Sequence, residues 1–342
     1  MGAWDEFGDA VTSAVNHMRN DPDPLNDREL ADLDQYVLRI LAATAQSSSL
    51  RLDPDRPEFL PMLDSVRYLG ASGPDIDYDV AALRPGGRYR ISGRRGEATF
   101  VGIAVYAGAG DKGATAIVES VDVDRIVAPD GTFVYEFQNP EAARVIVRQY
   151  FHDRDAQSGG SWSIERLDTV ASETLGHPTS AEMAGRVANV CKSIMWNARL
   201  NVLWTPERRA HPNEFVRLSS DDIVAAIPNP DVVYSFAWWK RSPDEAVVIE
   251  FVPPRTDYWS LQLCDRWFQC QPDRRSNLHD RQVRAKPDGS VVLVIADGDP
   301  GHPNWLDCAG HEVGTAFFRW LHADIDVQPT CRTVKVADVK NL

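Results

Sequence analysis

No run of about 18 apolar residues occurs anywhere in the 342-residue sequence, so no membrane-spanning helix is expected. Positive charge is scarce as well. Against 50 Asp and Glu there are 36 Lys and Arg, and the net charge of −14 sets up a field that repels phosphate backbones. Nucleic acid and membrane surfaces are therefore not expected as partners, although the arginines of "RISGRR" form a local exception. The five cysteines are odd in number, widely spread and free of any C-x-x-C pair. Reduced thiols in a cytoplasmic chain explain them better than a disulfide framework or a structural zinc. The opening "MGAWDEFGDAVTSAV" has neither the basic nor the apolar region of a signal peptide, and Glu6 stands where a myristoylation motif takes Ser or Thr. Also missing are G-x-x-x-x-G-K-[ST], a G-x-G-x-x-G behind a strand, G-x-S-x-G and H-E-x-x-H. No cofactor and no metal is expected.

What is present is enough apolar residue, 43%, for packed cores, in a chain long enough for two or three modules. Helical spacing runs from Trp4 to Met18 and from Arg28 to Ala43, separated by "NDPDPLND". From about Tyr68 short β-type runs take over. Hairpins are expected in "GGRYRISGRRGEATFVGIAVYAG", with its turn at Gly93 to Gly96, and in "RIVAPDGTFVYEF", with Asp-Gly as the turn. Thr179 and Glu182 make a capping box ahead of Met183, Val187, Val190, Ile194 and Met195, a stripe that suits a helix packed on a sheet. A shorter helix is expected over Ser219 to Ile227.

Self-similarity organises the rest. Pro74-Asp75-Ile76-Asp77-Tyr78 recurs as Pro230-Asp231-Val232-Val233-Tyr234, and Pro129-Asp130-Gly131 as Pro287-Asp288-Gly289. "VRQYFHDRD" from Val147 is followed in the second copy by "FRWLHADID" from Phe318. The first two markers are offset by 156 and 158 residues and the third by 171, so about thirteen residues have entered the second copy before its last marker. The surplus is "DGDPGHPNWLDCAGHE", Asp297 to Glu312, where the first copy has "QNPEAA". The expected fold is mainly β with helical segments: a helical N-terminal segment (1–60), a first antiparallel β-sandwich module of jelly-roll type (61–175), a helical insert (176–228) and a second β-module (229–342) with an elaborated loop at 297–314.

A loop that one copy has and its sibling lacks is a natural place for a site. Asp299, His302, Asp307 and His311 offer proton donors and acceptors near neutral pH. The alternative is an ordered turn held by side-chain hydrogen bonds, pinned by Trp305 and Leu306. The nine-residue gap between the histidines matches no usual metal-ligand spacing, and Cys308 beside them is a weak thiol nucleophile. In "DYWSLQLCDRWFQC" alternation puts Trp259, Leu261, Leu263 and Trp267 on a core face. Tyr258, Ser260, Gln262, Cys264, Arg266 and Phe268 face the other side, either to solvent or as the wall of a polar cavity. Six of the ten tryptophans fall after residue 237, which favours an organic ligand with an apolar or ring-like face.

The run Asp288-Gly289-Ser290, "VVLVIADGDPGHP", Asn304-Trp305-Leu306, Gly310 and Arg319 resembles the bacterial family catalogued as domain of unknown function 1214. "NPDVVYSFAW" and "RTDYWSLQL" are similar, more loosely, to its companion, domain of unknown function 1254. Asp307 departs from the first pattern, where proline is usual, as does Trp320-Leu321 in place of R-x-Y. The resemblance implies a β-sandwich and no reaction.

The expected function is an intracellular acid/base enzyme (a lyase, isomerase or hydrolase) acting on an apolar or ring-bearing organic small molecule. Asp299, His302, Asp307 and His311 are its candidate catalytic groups. Tyr234, Trp238, Tyr258, Gln262, Arg266, Trp305 and Arg319 are its candidate substrate contacts. The alternative is a non-catalytic β-sandwich binding or interaction module, with an exposed tryptophan patch and association into a homo-oligomer.

Overall fold

The computed structural model describes residues 2–49, 53–63, 73–108, 116–168, 177–199, 204–217, 229–271, 273–324 and 327–342. The helix expected over Ser219 to Ile227 lies outside the described residues. The chain begins with α1 (Ala3–Arg19) and α2 (Asp27–Ser49), followed by β1 (Leu60–Leu63), β2 (Ile76–Ala82), β3 (Arg88–Arg94), β4 (Phe100–Ala107), β5 (Ile117–Asp122), β6 (Thr132–Gln138), β7 (Ala142–Tyr150) and β8 (Ser161–Arg166). After α3 (Ser180–Ala198), α4 (Pro206–Ala210) and β9 (Val216–Arg217) come β10 (Val232–Lys240), β11 (Glu245–Phe251), β12 (Tyr258–Cys264), β13 (Asn277–His279), β14 (Val291–Ala296), β15 (Trp305–Asp307), β16 (Val313–Leu321) and β17 (Thr330–Lys335).

The two halves share one topology. In the first, β1-β2-β7-β4-β5 form one sheet and β6-β3-β8 the other; in the second, β9-β10-β16-β12-β13 repeat the larger sheet and β14-β11-β17 the smaller, to which β15 is added beside β14. The chain crosses between sheets at ten of the fifteen connections within the modules. The expected hairpins are corrected accordingly. β3 and β4 flank the Gly93–Gly96 turn but pair in different sheets, and so do β5 and β6 around Asp130-Gly131. Alternation is what permits this: each strand has one face for the space between its sheets, and turn residues alone do not say which neighbour it pairs with.

Between the sheets of the second module lie Trp239, Ile249, Phe251, Trp259, Leu261, Leu293, Phe318 and Trp320. The rings of Phe318 and Trp320 stack 4.6 Å apart. Burying each such side chain contributes about 1.5–3 kcal/mol. The first module packs Ile91, Val101, Ile103, Val105, Phe133, Val145 and Val147 in the same layer. Trp238, Trp239, Trp259, Trp267 and Trp320 are all buried, so they supply no exposed aromatic patch. No helix among the described residues is long and apolar enough to cross a membrane.

α3 starts at the Thr179 cap, whose hydroxyl accepts the Glu182 N–H. Its stripe packs on helices rather than on a sheet. Val190 and Ile194 join Ala14, Met18, Leu33, Tyr36 and Ile40 of α1 and α2, while Met183 is exposed. Trp267 of the second module closes this cluster, so the helical insert and N-terminal helices form one layer on that module.

Candidate functional site between the two modules

The surplus loop is built as a structural clip. Asp299 accepts the N–H of Gly301, His302 Nδ1 that of Asn304, and Asp307 that of Ala309. Each side chain thus caps the backbone two residues on, the ordinary work of turn residues. Asn304 donates to the carbonyls of Arg284 and Val292 and accepts from the Arg284 N–H. Leu306 enters the core, and β15 runs parallel to β14. Half-buried Trp305 lies beside the Arg275 guanidinium, 5.8 Å from ring centroid to Cζ. The four candidate acid/base residues share no partner.

His311 is the exception in the loop, because it reaches another element. Its Nε2 lies 2.9 Å from Asp32 and its Nδ1 4.0 Å from Glu29, both on α2. Burial works against its charge, but Asp32, Glu29 and Asp265 outweigh that and raise its pKa to about 9. Arg266, also expected to touch substrate, belongs to the same network. Its guanidinium donates to Glu29 (3.0 Å from Nε) and lies 3.2 Å from Asp21, while Arg209 reaches Asp21 and Asp23. This buried network fastens the helical layer to the second module. Gln262 donates to the Leu263 and Ser276 carbonyls, and Trp238 packs with Trp204 and under Arg209. The second face of "DYWSLQLCDRWFQC" is buried throughout rather than solvated.

The remaining predicted contacts, Tyr234, Tyr258 and Arg319, do converge. They sit on the outer face of the larger sheet of the second module, where the corresponding face of the first module covers them. Register makes the symmetry plain: Tyr78 pairs with Arg148 on β2 and β7, and Tyr234 pairs with Arg319 on β10 and β16. Tyr150 stacks on Tyr258 across the seam, with centroids 5.4 Å apart. Asn229 donates through Nδ2 to the Tyr150 hydroxyl and through its backbone to that of Tyr234. Ile76, Phe100, Val232 and Leu321 complete the contact.

Both arginines are 3% exposed. The Arg148 guanidinium sits 5.6 Å from the Tyr78 centroid and 5.5 Å from that of Tyr106; Arg319 lies 4.1 Å over Phe317. Burial opposes both charges, but the surrounding phenol groups more than offset it and raise both pKa values, so both stay protonated. A Cβ added to Gly73 in the first module would lie 2.6 Å from Asp75 Oδ1 and 3.6 Å from Arg319 Nη1, which brings that arginine to the opposite module. Gly102, beside Arg148, stands where the second module has Ser260 beside Arg319; any Cβ there would strike the Phe100 ring.

Asp75 is the acid in this seam. Its Oδ2 accepts from the Tyr258 hydroxyl and, at 3.2 Å, from Asn277 Nδ2, while its buried Oδ1 has no hydrogen-bond partner. Burial, together with the Asp75 charge, pushes the Tyr258 phenol well above its ordinary range, so it holds its proton. Gln262 Oε1 and Asn277 Oδ1 are two further buried acceptors without a partner. Arg148 and Asp75 were not among the residues expected to act. Their signal lay in the repeat: Asp75 opens the first Pro-Asp marker, and Arg148 stands in the third marker where Arg319 stands in its copy.

Comparison with known proteins agrees with the architecture. The family model "Protein of unknown function (DUF1254)" matches residues 210–320. That span holds both segments with the looser resemblance, so the likeness to domain of unknown function 1254 is supported and the expected one to domain of unknown function 1214 is not shown. The crystal structure of an uncharacterized protein from Burkholderia cenocepacia is similar over 98% of this chain and 97% of its own, at 25% identity and a TM-score of 0.90. The VPA0106 protein from Vibrio parahaemolyticus covers 94% of this chain and 100% of its own at 13% identity, with a TM-score of 0.48. No curated protein matches the sequence.

Proposed function

We propose that the protein is a cytoplasmic acid/base enzyme acting on a small, ring-bearing organic anion held in the seam between its modules. The observation that carries this reading is the pair of buried arginines on equivalent strands, both turned into the seam among aromatic rings. Guanidinium groups recognise carboxylate and phosphate geometry, and low-dielectric surroundings strengthen the contact. Asp75 Oδ1 is the base, held in place by the hydrogen bonds that Tyr258 and Asn277 donate to Oδ2, and the arginines face the developing negative charge. Lyase, isomerase and hydrolase chemistry all use such a base. The likeness to domain of unknown function 1254 names no activity and does not narrow this choice.

Calorimetry with benzoate, 4-hydroxybenzoate and phenylacetate, set against their amides, tests the reading. The acids are expected to bind and the amides not, with Arg319→Gln weakening the acids about 10–100-fold, the value of a hydrogen bond to a charged group. Asp75→Asn is expected to keep binding and abolish proton exchange from a bound substrate. Equal binding of acids and amides, or no binding of any acid, counts against the proposal. Binding without proton exchange in the unaltered protein selects the ligand-binding alternative.

A further inference from the structure

At the edge of the same seam lies a second cluster that the sequence reading did not single out. His152 follows β7 in the first module; His279 ends β13 in the second, and Asp280 comes next in the chain. One donor atom from each lies within 4.8 Å of the other two. His152 Nε2 is 2.8 Å from Asp280 Oδ1, and His279 Nδ1 is 3.9 Å from the same oxygen. Ligands about 2.0–2.1 Å from a tetrahedral zinc stand about 3.3 Å apart, so these separations close on one ion with small side-chain movements.

The surroundings are those of ligand histidines. His152 and His279 are buried, and their rings lie 5.4 Å apart. The other nitrogen of His152, Nδ1, is 2.9 Å from Thr99 Oγ1, which fixes the ring with Nε2 towards Asp280. His279 Nδ1 accepts a long 3.3 Å contact from the Arg281 N–H and lies 3.9 Å from Asp280 Oδ1. Outer partners of this kind are what aim histidines at a metal. Two imidazoles and one carboxylate suit a divalent transition metal rather than calcium or magnesium.

We propose that His152, His279 and Asp280 bind one divalent transition-metal ion of the zinc class, which bridges the two modules. Each histidine offers the lone pair of a neutral imidazole, His152 with its ring proton on Nδ1 beside Thr99 Oγ1, so no proton need be released, and the fourth coordination position is left to water. The site stands on its own residues and does not depend on the anion reading.

The test is a cobalt(II) titration of the chelator-treated full-length protein, followed by its d–d absorption, with zinc(II) as competitor. One equivalent of cobalt is expected to bind with a tetrahedral-type spectrum, and zinc to displace it. His279→Gln and Asp280→Asn should each remove the spectrum, and Thr99→Val should weaken binding about 10–100-fold. His211→Gln, at an exposed histidine, should change nothing. Circular dichroism establishes that each variant is folded. No stoichiometric cobalt uptake by the unaltered protein overturns the site and leaves His152–Asp280 as a hydrogen-bonded pair between modules. Undiminished uptake by a folded His152→Gln/His279→Gln double variant overturns it equally.

Discussion

The two modules have the same strand order in both sheets, yet they differ in what their edges carry. The second module adds the Asp297–Glu312 loop and the short strand β15, and it alone bears Arg266, His311 and Trp267, the contacts that hold the helical layer. The first module has Gly108 where Arg266 would fall if the 158-residue offset is carried over, and no loop to match. Duplication therefore left the shared face to the seam and the unshared additions to the helices. Polar residues in an added loop are no guide to chemistry when the loop's work is attachment.

The largest effect that can break this comparison is expected at Arg266. Replacing it with Met leaves Glu29 buried without its guanidinium, while Asp21 keeps Arg209, a loss of about 3–5 kcal/mol. Urea unfolding followed by circular dichroism measures it, and a change below about 1 kcal/mol would remove the anchoring role. His311 should follow. Its folded pKa, raised to about 9, lies above the unfolded value of about 6.5, so its stabilising contribution is fully present below about pH 6.5 and is lost as pH rises towards 9. Its size is on the order of 3 kcal/mol at most. His311→Gln should flatten the stability profile of the protein over that window; an unchanged profile denies the contact with α2. The smallest effect belongs to the loop tip. Asp299→Ala is expected to shift stability by about 0.5 kcal/mol or less and to leave binding of organic acids untouched. A loss of acid binding there would return the site to the loop.

Much of the fold was legible. The Pro-Asp markers before β2 and β10 and the arginine-bearing strands β7 and β16 revealed two copies, because positions that set strand entry and register tolerate little change. Sheet pairing was not legible, since Asp-Gly specifies a turn and not the neighbour beyond it. The seam was half legible. Tyr234, Tyr258 and Arg319 were named from an aromatic-rich strand and a marker, but Arg148 reads as a solvated position on an alternating strand. Only the docking of one sheet on another buries it. His152 and His279 come from different modules and 127 residues apart, a distance at which spacing carries no ligand signal.

The hydrogen bond from Tyr258 to Asp75 spans 183 residues, whereas most pairings within each sheet lie within one contiguous half of the chain. Each half can thus complete its own sandwich while the outer faces of the larger sheets are still wet, as modules generally do when they fold as units. Arg148 and Arg319 then lose their water in a docking step that comes after the sheets exist. Refolding should accordingly show two phases, with secondary structure returning in the first and the environment of the seam tyrosines in the second. A single phase for both signals would mean that the modules and their seam form together.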